Sequence, residues 1–217
     1  MAPTIEELKI ADDPQSWAAL GFDVVGDSCM IGSVSLRFLG AGAGHGIVGW
    51  VLREVVGTEL DGLATTLVES AQPQPAGTHP NGVSSIDHVV VMSSDLARSV
   101  ATLQAAGLDL RRIRKEPTPA GAPRQAFFRL GAEILEVVQE PQEILERAGG
   151  ADRPARFWGL ALLVEDLEAT CARMSPHVGE PRTAVQPGRR IATVRRSAGL
   201  SVPLALMSAV ESPAVPA

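Results

Sequence analysis

The sequence predicts an α+β protein assembled from a repeated β-α-β-β-β unit, and three observations lead there. Two stretches of the chain superpose without a gap. In each, a short apolar run leads directly into a helix start. The composition also suits half-buried strands: hydrophobic residues make up 45% of the 217, charged residues 20% and aromatic residues 4%, with no Tyr. Val, Leu, Ile and Ala must therefore fill the core. The length allows one large domain or two small ones.

The repeat is read as follows. Ile86 to Leu96 (Ile-Asp-His-Val-Val-Val-Met-Ser-Ser-Asp-Leu) aligns with Phe157 to Leu167 (Phe-Trp-Gly-Leu-Ala-Leu-Leu-Val-Glu-Asp-Leu). Each begins as a strand with few charges, consistent with a buried position. Ser94-Asp95-Leu96 and Glu165-Asp166-Leu167 then start helices, where an acidic residue near the first turn suits the helix dipole. The first helix, Leu96 to Ala106, carries Leu96, Val100, Leu103 and Ala106 on one stripe and stops at Gly107. Downstream, Arg124 to Arg129 aligns with Arg190 to Arg195, and Ile134 to Val138 with Val202 to Leu206. The unit is strand, helix, strand, strand, strand, written twice.

Composition sets the boundaries. The Pro- and Gly-rich stretch from Ala71 to Gly82 predicts a linker over 71–83, between an N-terminal region (1–70) and the duplicated region (84–208). The connection from Glu140 to Pro154 divides the latter into modules 84–140 and 154–208, and 209–217 is expected to be a frayed tail. The N-terminal region reads as a poorer third copy. Ile5 to Ile10 is its first strand, Asp13 to Leu20 its helix, Asp23 to Gly26 and Ser28 to Ile31 its middle strands, and Val34 to Leu39 its last. Gly46 to Val56 and Asp61 to Glu69 are strand-like remnants of another module, and Trp17 and Trp50 are expected in the core or between modules.

Several function classes are disfavoured. A net charge of -6 and a pI near 5.3 argue against a nucleic-acid partner. The basic clusters Arg111 to Lys115, Arg189-Arg190 and Arg195-Arg196 read as solvated strand edges. Cys29 and Cys171 have no metal-ligand spacing and are expected to be reduced. The N-terminus lacks the basic and apolar regions of a signal peptide, and no apolar run approaches a membrane span, so a cytoplasmic protein with no membrane partner is expected. No GxSxG, HExxH or calcium-loop pattern appears. Gly40 to Gly46 fails the GxGxxG spacing and leads into a strand, as a hairpin or module connector does. His45 is expected in solvent, His79 in the linker and His177 at the surface.

The duplicated unit carries Asp87-His88 on its first strand. It also carries Phe128-Arg129-Leu130-Gly131 ahead of Ile134-Leu135-Glu136-Val137-Val138-Gln139 on its last. In this it resembles the vicinal-oxygen-chelate superfamily of glyoxalases, extradiol dioxygenases, fosfomycin-inactivating transferases and bleomycin-binding resistance proteins. The resemblance covers residues 84–208 well and 5–40 faintly. It implies curved, mostly antiparallel sheets around a cleft with helices on the outside. It also implies a divalent metal held by one residue from the first and one from the last strand of each module. Carried over, the first module supplies His88 and Glu136, an imidazole and a carboxylate suited to Zn, Fe, Mn or Ni. Strand alternation agrees, since His88, Val90 and Met92 share a face, as do Ile134, Glu136 and Val138. The second module departs from the pattern with Gly159 and Leu204, and the N-terminal copy with Glu7 and Arg37.

With half the coordination sphere missing, the residues favour a binding or structural His88–Glu136 pair and no cofactor, with a divalent metal as the alternative. Three readings follow. The first is a binding module for a small organic molecule, its anionic group met by Arg112, Arg124 and Arg190, with Trp158 either on one wall or packed behind the sheet and room opened by Gly159. The second is a lyase, isomerase or dioxygenase whose substrate chelates a metal on His88 and Glu136. The third is a structural or partner-binding protein with a filled cleft. Gly159 and Leu204 put the first ahead. Family members pair modules between subunits, so by analogy an odd number of modules implies a homodimer.

Overall fold

The computed structural model describes residues 2–70, 77, 79–118, 121–150 and 152–210. Most of the expected linker (71–76 and 78) and the end of the tail (211–217) lie outside the described residues. The N-terminal region forms β1 (Thr4–Ile10), α1 (Pro14–Ala19), β2 (Ser28–Ile31), β3 (Val34–Phe38), β4 (Ile47–Arg53) and β5 (Thr65–Val68). Next come β6 (Val83–Ser93), α2 (Leu96–Ala105), β7 (Asp109–Arg114), β8 (Gln125–Leu130), β9 (Glu133–Gln139) and α3 (Gln142–Arg147). The chain then forms β10 (Arg156–Val164), α4 (Leu167–Arg173), β11 (Arg182–Thr183), β12 (Arg190–Thr193) and β13 (Leu204–Ser208). Strand, helix and three strands therefore occur twice in succession after Gly82.

Local chemistry explains the helix starts. Asp95 and Asp166 cap α2 and α4, their carboxylates accepting from backbone N–H groups of the first turn, and Asp13 does the same for α1. Gly107 ends the first of the long helices with φ 91°, which a side chain would resist. Of the expected middle strands of the N-terminal copy, Ser28–Ile31 forms. Asp23 to Gly26 contributes only a single bridge from Val25 to Ser28, because the tight turn at Gly26 leaves no room for a ladder.

The sheets share one pairing logic. The larger has eight strands in the order β11-β12-β13-β10-β6-β9-β8-β7, and the smaller has five in the order β2-β3-β1-β4-β5. In the large sheet β6 runs parallel to β9 and β10 parallel to β13, while β6 and β10 meet antiparallel at the centre. In the small sheet β1 is parallel to β3 and β4 to β5, with β1 and β4 antiparallel at the centre.

One hydrophobic cluster joins the two sheets and the helices. It takes Leu8, Ile10, Leu36, Trp50 and Leu52 from the small sheet, Val89, Val91, Leu135, Val137, Leu160 and Leu162 from the large one, and Leu96, Leu103 and Leu167 from the helices. Trp17 and Trp50 are both fully buried. Trp50 meets Phe157 edge-on at 5.1 Å, tying β4 to β10. Polar ties reinforce the joint: Asp12 accepts from Trp17 Nε1 (3.0 Å) and from Ser201 N (2.7 Å), and Ser33 donates to Glu133 (2.7 Å). His79 and Asn81 are buried rather than set in a solvated linker. His79 Nδ1 accepts from Asp23 N (3.0 Å), and Asn81 bonds Leu20 O and Val83 N.

Candidate functional site

Pairing register decides which side chains share the face of the large sheet turned away from the core cluster. Val89, Val91, Leu135 and Val137 point into the cluster, so His88, Val90 and Met92 on β6 and Ile134, Glu136 and Val138 on β9 point the other way. Gln125, Phe127 and Arg129 on β8 pair with Val138, Glu136 and Ile134 and join the same face. On the far side of β6, Ala161 pairs with His88 and with Ala205. Val138, Ala161 and Met207 are buried, yet all stand apart from the core cluster.

At the centre of this face four side chains and one arginine form a chain of polar contacts. His88 Nε2 lies 3.2 Å from Glu136 Oε2, and His88 Nδ1 lies 2.8 Å from Asp87 Oδ2. Arg189 Nη2 donates to Asp87 Oδ1 (2.6 Å), while its Nε donates to Ser208 O (2.9 Å). Gln125 Nε2 donates to the other Glu136 oxygen and leaves its own Oε1 buried without a partner.

A carboxylate only accepts, so the Nδ1 nitrogen of His88 carries a proton toward Asp87. The contact between Nε2 and Glu136 then needs one further proton, on either partner. Burial alone would raise the Asp87 pKa, but the hydrogen bonds from His88 and Arg189 outweigh it and hold the carboxyl at about 2. At Glu136 burial prevails and raises the pKa, against the opposing charge of His88 and the hydrogen bond from Gln125. The two carboxylates thus sit in opposite environments on either side of one imidazole.

The second module differs from the sequence alignment in two respects. Leu204 pairs with Leu160 and packs into the core, so the residue beside Ala161 on the site face is Ala205. Alignment by composition slipped by one residue, which in a strand exchanges the faces. Alanine, like leucine, has no donor atom. Gly159 does not open room for a ligand either: a Cβ there would lie 2.4 Å from the Pro203 carbonyl oxygen. The glycine permits a close backbone approach.

The other expected site residues are scattered. Arg112 lies over the Phe127 ring, 5.1 Å from its centroid, on the site face. Arg124 donates to Gln139 (2.8 Å) at the strand end. Arg190 is engaged by Glu168 on α4, which places it on the helix side of the sheet. Its neighbour Arg189 takes the place on the site side; in a chain that alternates, the two cannot do the same thing. Trp158 falls at a register shift at the start of β10, 47% exposed, with the Arg156 guanidinium over its ring. Asp87, Gln125 and Arg189 are the site residues that sequence reasoning missed. Asp87 was visible as the neighbour of His88, whereas Arg189 and Gln125 needed the strand register. Among the described residues no three or more His, Cys, Asp or Glu side chains converge as a metal ion requires, and no helix is long and apolar enough to cross a membrane.

The family model described as Glyoxalase/Bleomycin resistance protein/Dioxygenase superfamily matches residues 85–197, just over half the chain. A search of curated proteins returns no match. Among solved structures, methylmalonyl-CoA epimerase from Mycobacterium tuberculosis is similar over 61% of this chain and 91% of its own, at 20% identity and a TM-score of 0.49. The Streptomyces coelicolor methylmalonyl-CoA epimerase in complex with 2-nitronate-propionyl-CoA is similar over 58% and 98%, at 21% identity and a TM-score of 0.47. A xylose isomerase-like TIM barrel/4-hydroxyphenylpyruvate dioxygenase fusion protein matches 99% of this chain at 12% identity and a TM-score of 0.62. The chain spans about half (49%) of that protein's length, and the likeness is one of fold.

Proposed function

The chain belongs to the glyoxalase/bleomycin resistance protein/dioxygenase superfamily, and from that premise we propose that it is a small-molecule-binding member without a complete metal site. The observation that carries this reading is the donor set. His88 and Glu136 are the only metal-type donors that the register of β6, β9, β10 and β13 turns to the site face at the aligned positions; Gly159 and Ala205 supply none. Asp87 is committed to His88 and to the Arg189 guanidinium. One imidazole nitrogen and one carboxylate do not fill a four-coordinate shell. A His88–Glu136–Gln125 cluster whose imidazole and carboxylate are engaged by its own contacts, with Gln125 Oε1 left open, is instead a floor for an organic ligand. The small sheet, with the same parallel–antiparallel–parallel order as the large one, is on this reading a degenerate module and the remnant of another.

The test is elemental analysis of purified, untagged protein, with Glu136→Gln alongside, followed by titration with Zn, Fe, Mn and Ni. The expected result is substoichiometric metal and no saturable uptake. Near-stoichiometric metal that disappears in the variant would overturn it.

One observation favours a second reading, a metal-dependent lyase, isomerase or dioxygenase. A carboxylate on the far nitrogen, as Asp87 is on His88 Nδ1, is how metal-binding imidazoles are commonly oriented. The same metal analysis separates the two.

A further inference from the structure

We propose that the ligand of this site is an amphipathic organic anion, its charged head on the β7–β8 side of the sheet and its apolar body laid toward β10 and β13. The inference rests on the binding reading above and adds the ligand's polarity and length. It follows from how unevenly charge is spread over the face. On the β7–β8 side the register turns Arg112, Arg114 and Arg129 to the site, in a chain whose net charge is -6. On the β10–β13 side the same register supplies Ala161, Leu163, Ala205 and Met207, without a charge. The two cations on that side are already engaged, Arg189 by Asp87 and Arg156, at the start of β10 opposite Met92, by Glu140.

Between the two walls lie Val90, Met92, Phe127 and Ile134, all half-buried apolar side chains. An open antiparallel face normally alternates to polar residues, so an apolar floor of this kind calls for an apolar occupant. The polar groups in its middle do not forbid one. Both Glu136 oxygens and both His88 nitrogens are engaged within the network. Arg114 has Glu116 within 3.8 Å, but a cationic or neutral ligand would leave Arg112 and Arg129, which form no ion pair among the described residues, without a counter-charge. Ala161 and Met207 are already buried, but a small polar anion would leave the partly exposed Leu163 and Ala205 wet.

Strand spacing sets the size. From β8 to β10 are three intervals in the strand order, which at ~4.8 Å each span roughly 14 Å, about the extended length of a ten-carbon chain together with its head group. Carboxylate and phosphate heads share the chemistry that Arg112 and Arg114 recognise.

Isothermal titration with decanoate, decyl phosphate, decanol, decyltrimethylammonium and butyrate tests this, with all amphiphiles kept below their micelle concentrations. Saturable one-to-one binding of decanoate or decyl phosphate is expected, and which of the two binds identifies the head group. Decanol, the ammonium and butyrate should each bind at least about tenfold more weakly. Arg112→Gln with Arg114→Gln should weaken the anion about tenfold, and Ala205→Phe should fill the apolar wall and abolish binding, both with unchanged unfolding midpoints. Equal affinity for decanol and decanoate, or no binding of either anion, would overturn the proposal. Stoichiometric metal would instead sink the metal-free reading while leaving the ligand's polarity to be judged by the titrations.

Discussion

Replacing Asp87 by Asn removes one charge from the centre of the site and keeps its shape. The amide oxygen still accepts from His88 Nδ1, and Arg189 keeps the Ser208 carbonyl as a partner. What is lost is the ionised form that the fold stabilises. The Asp87 pKa falls from 3.8 to about 2 in the folded protein. At ~1.36 kcal/mol per pH unit this is worth about 2 kcal/mol of stability at neutral pH. Because the folded-state pKa is depressed, the contribution is complete well above 3.8 and disappears as the pH falls through about 2. The stability difference between wild type and Asp87→Asn, from urea unfolding at a series of pH values, should therefore be about 2 kcal/mol at pH 7 and about half that at pH 3. Comparing the two proteins at each pH cancels the titration of every other carboxylate. A difference below ~0.5 kcal/mol at pH 7, or one that does not shrink in acid, would refute the assignment of Asp87 as an ionised partner of His88 and Arg189.

Three further outcomes are expected. Gly159→Ala should destabilise by about 1–3 kcal/mol in the same urea assay, since the new methyl group meets the Pro203 carbonyl rather than empty space. Burial lowers the His79 pKa below its ordinary 6.5, so the unfolded chain takes up a proton first and stability should fall as the pH drops below 6.5; His79→Gln should flatten that slope. Asp12→Ala should cost about 2–3 kcal/mol, because Trp17 Nε1 and Ser201 N both lose a buried acceptor; a melting temperature unchanged from wild type would count against this.

Much of the architecture was legible because it is written twice. The gapless match of Ile86–Leu96 to Phe157–Leu167 needs no knowledge of packing, and Asp95 and Asp166 mark helix starts through their own side-chain chemistry. The pairing of His88 with Glu136 was within reach because the stretch from His88 to Ser93 keeps an unbroken parallel register with β9, where alternation is reliable. Reading failed where the strand is irregular. In the second module β10 carries an extra residue at Trp158, and the short β12–β13 segment offered a one-residue choice that composition does not settle, so Leu204 and Arg190 were given the wrong side. His79 failed differently. A Pro- and Gly-rich neighbourhood describes the chain's local freedom, but the imidazole is buried by Phe22 and Asp23, which are distant in sequence. Gly159 shows the limit from the other direction: a missing side chain can mean space for a guest or a backbone pressed close, and only coordinates separate the two.

The bond from Ser201 N to Asp12 joins residues 189 positions apart. Its consequence lies in the order of assembly. Asp12 gathers Trp17 from the helix that follows it, but its second partner is synthesised 189 residues later. Gly46 N likewise waits for the Ser201 hydroxyl (2.7 Å). Until the loop before β13 arrives, a buried carboxylate and a turn at the start of β4 are only half satisfied, a cost the small sheet must carry alone. Closing so long a loop is slow relative to local pairing. The small sheet, made before its partner, is therefore among the last parts to settle, and a nascent chain stopped before Ser201 holds that sheet in an unfinished state.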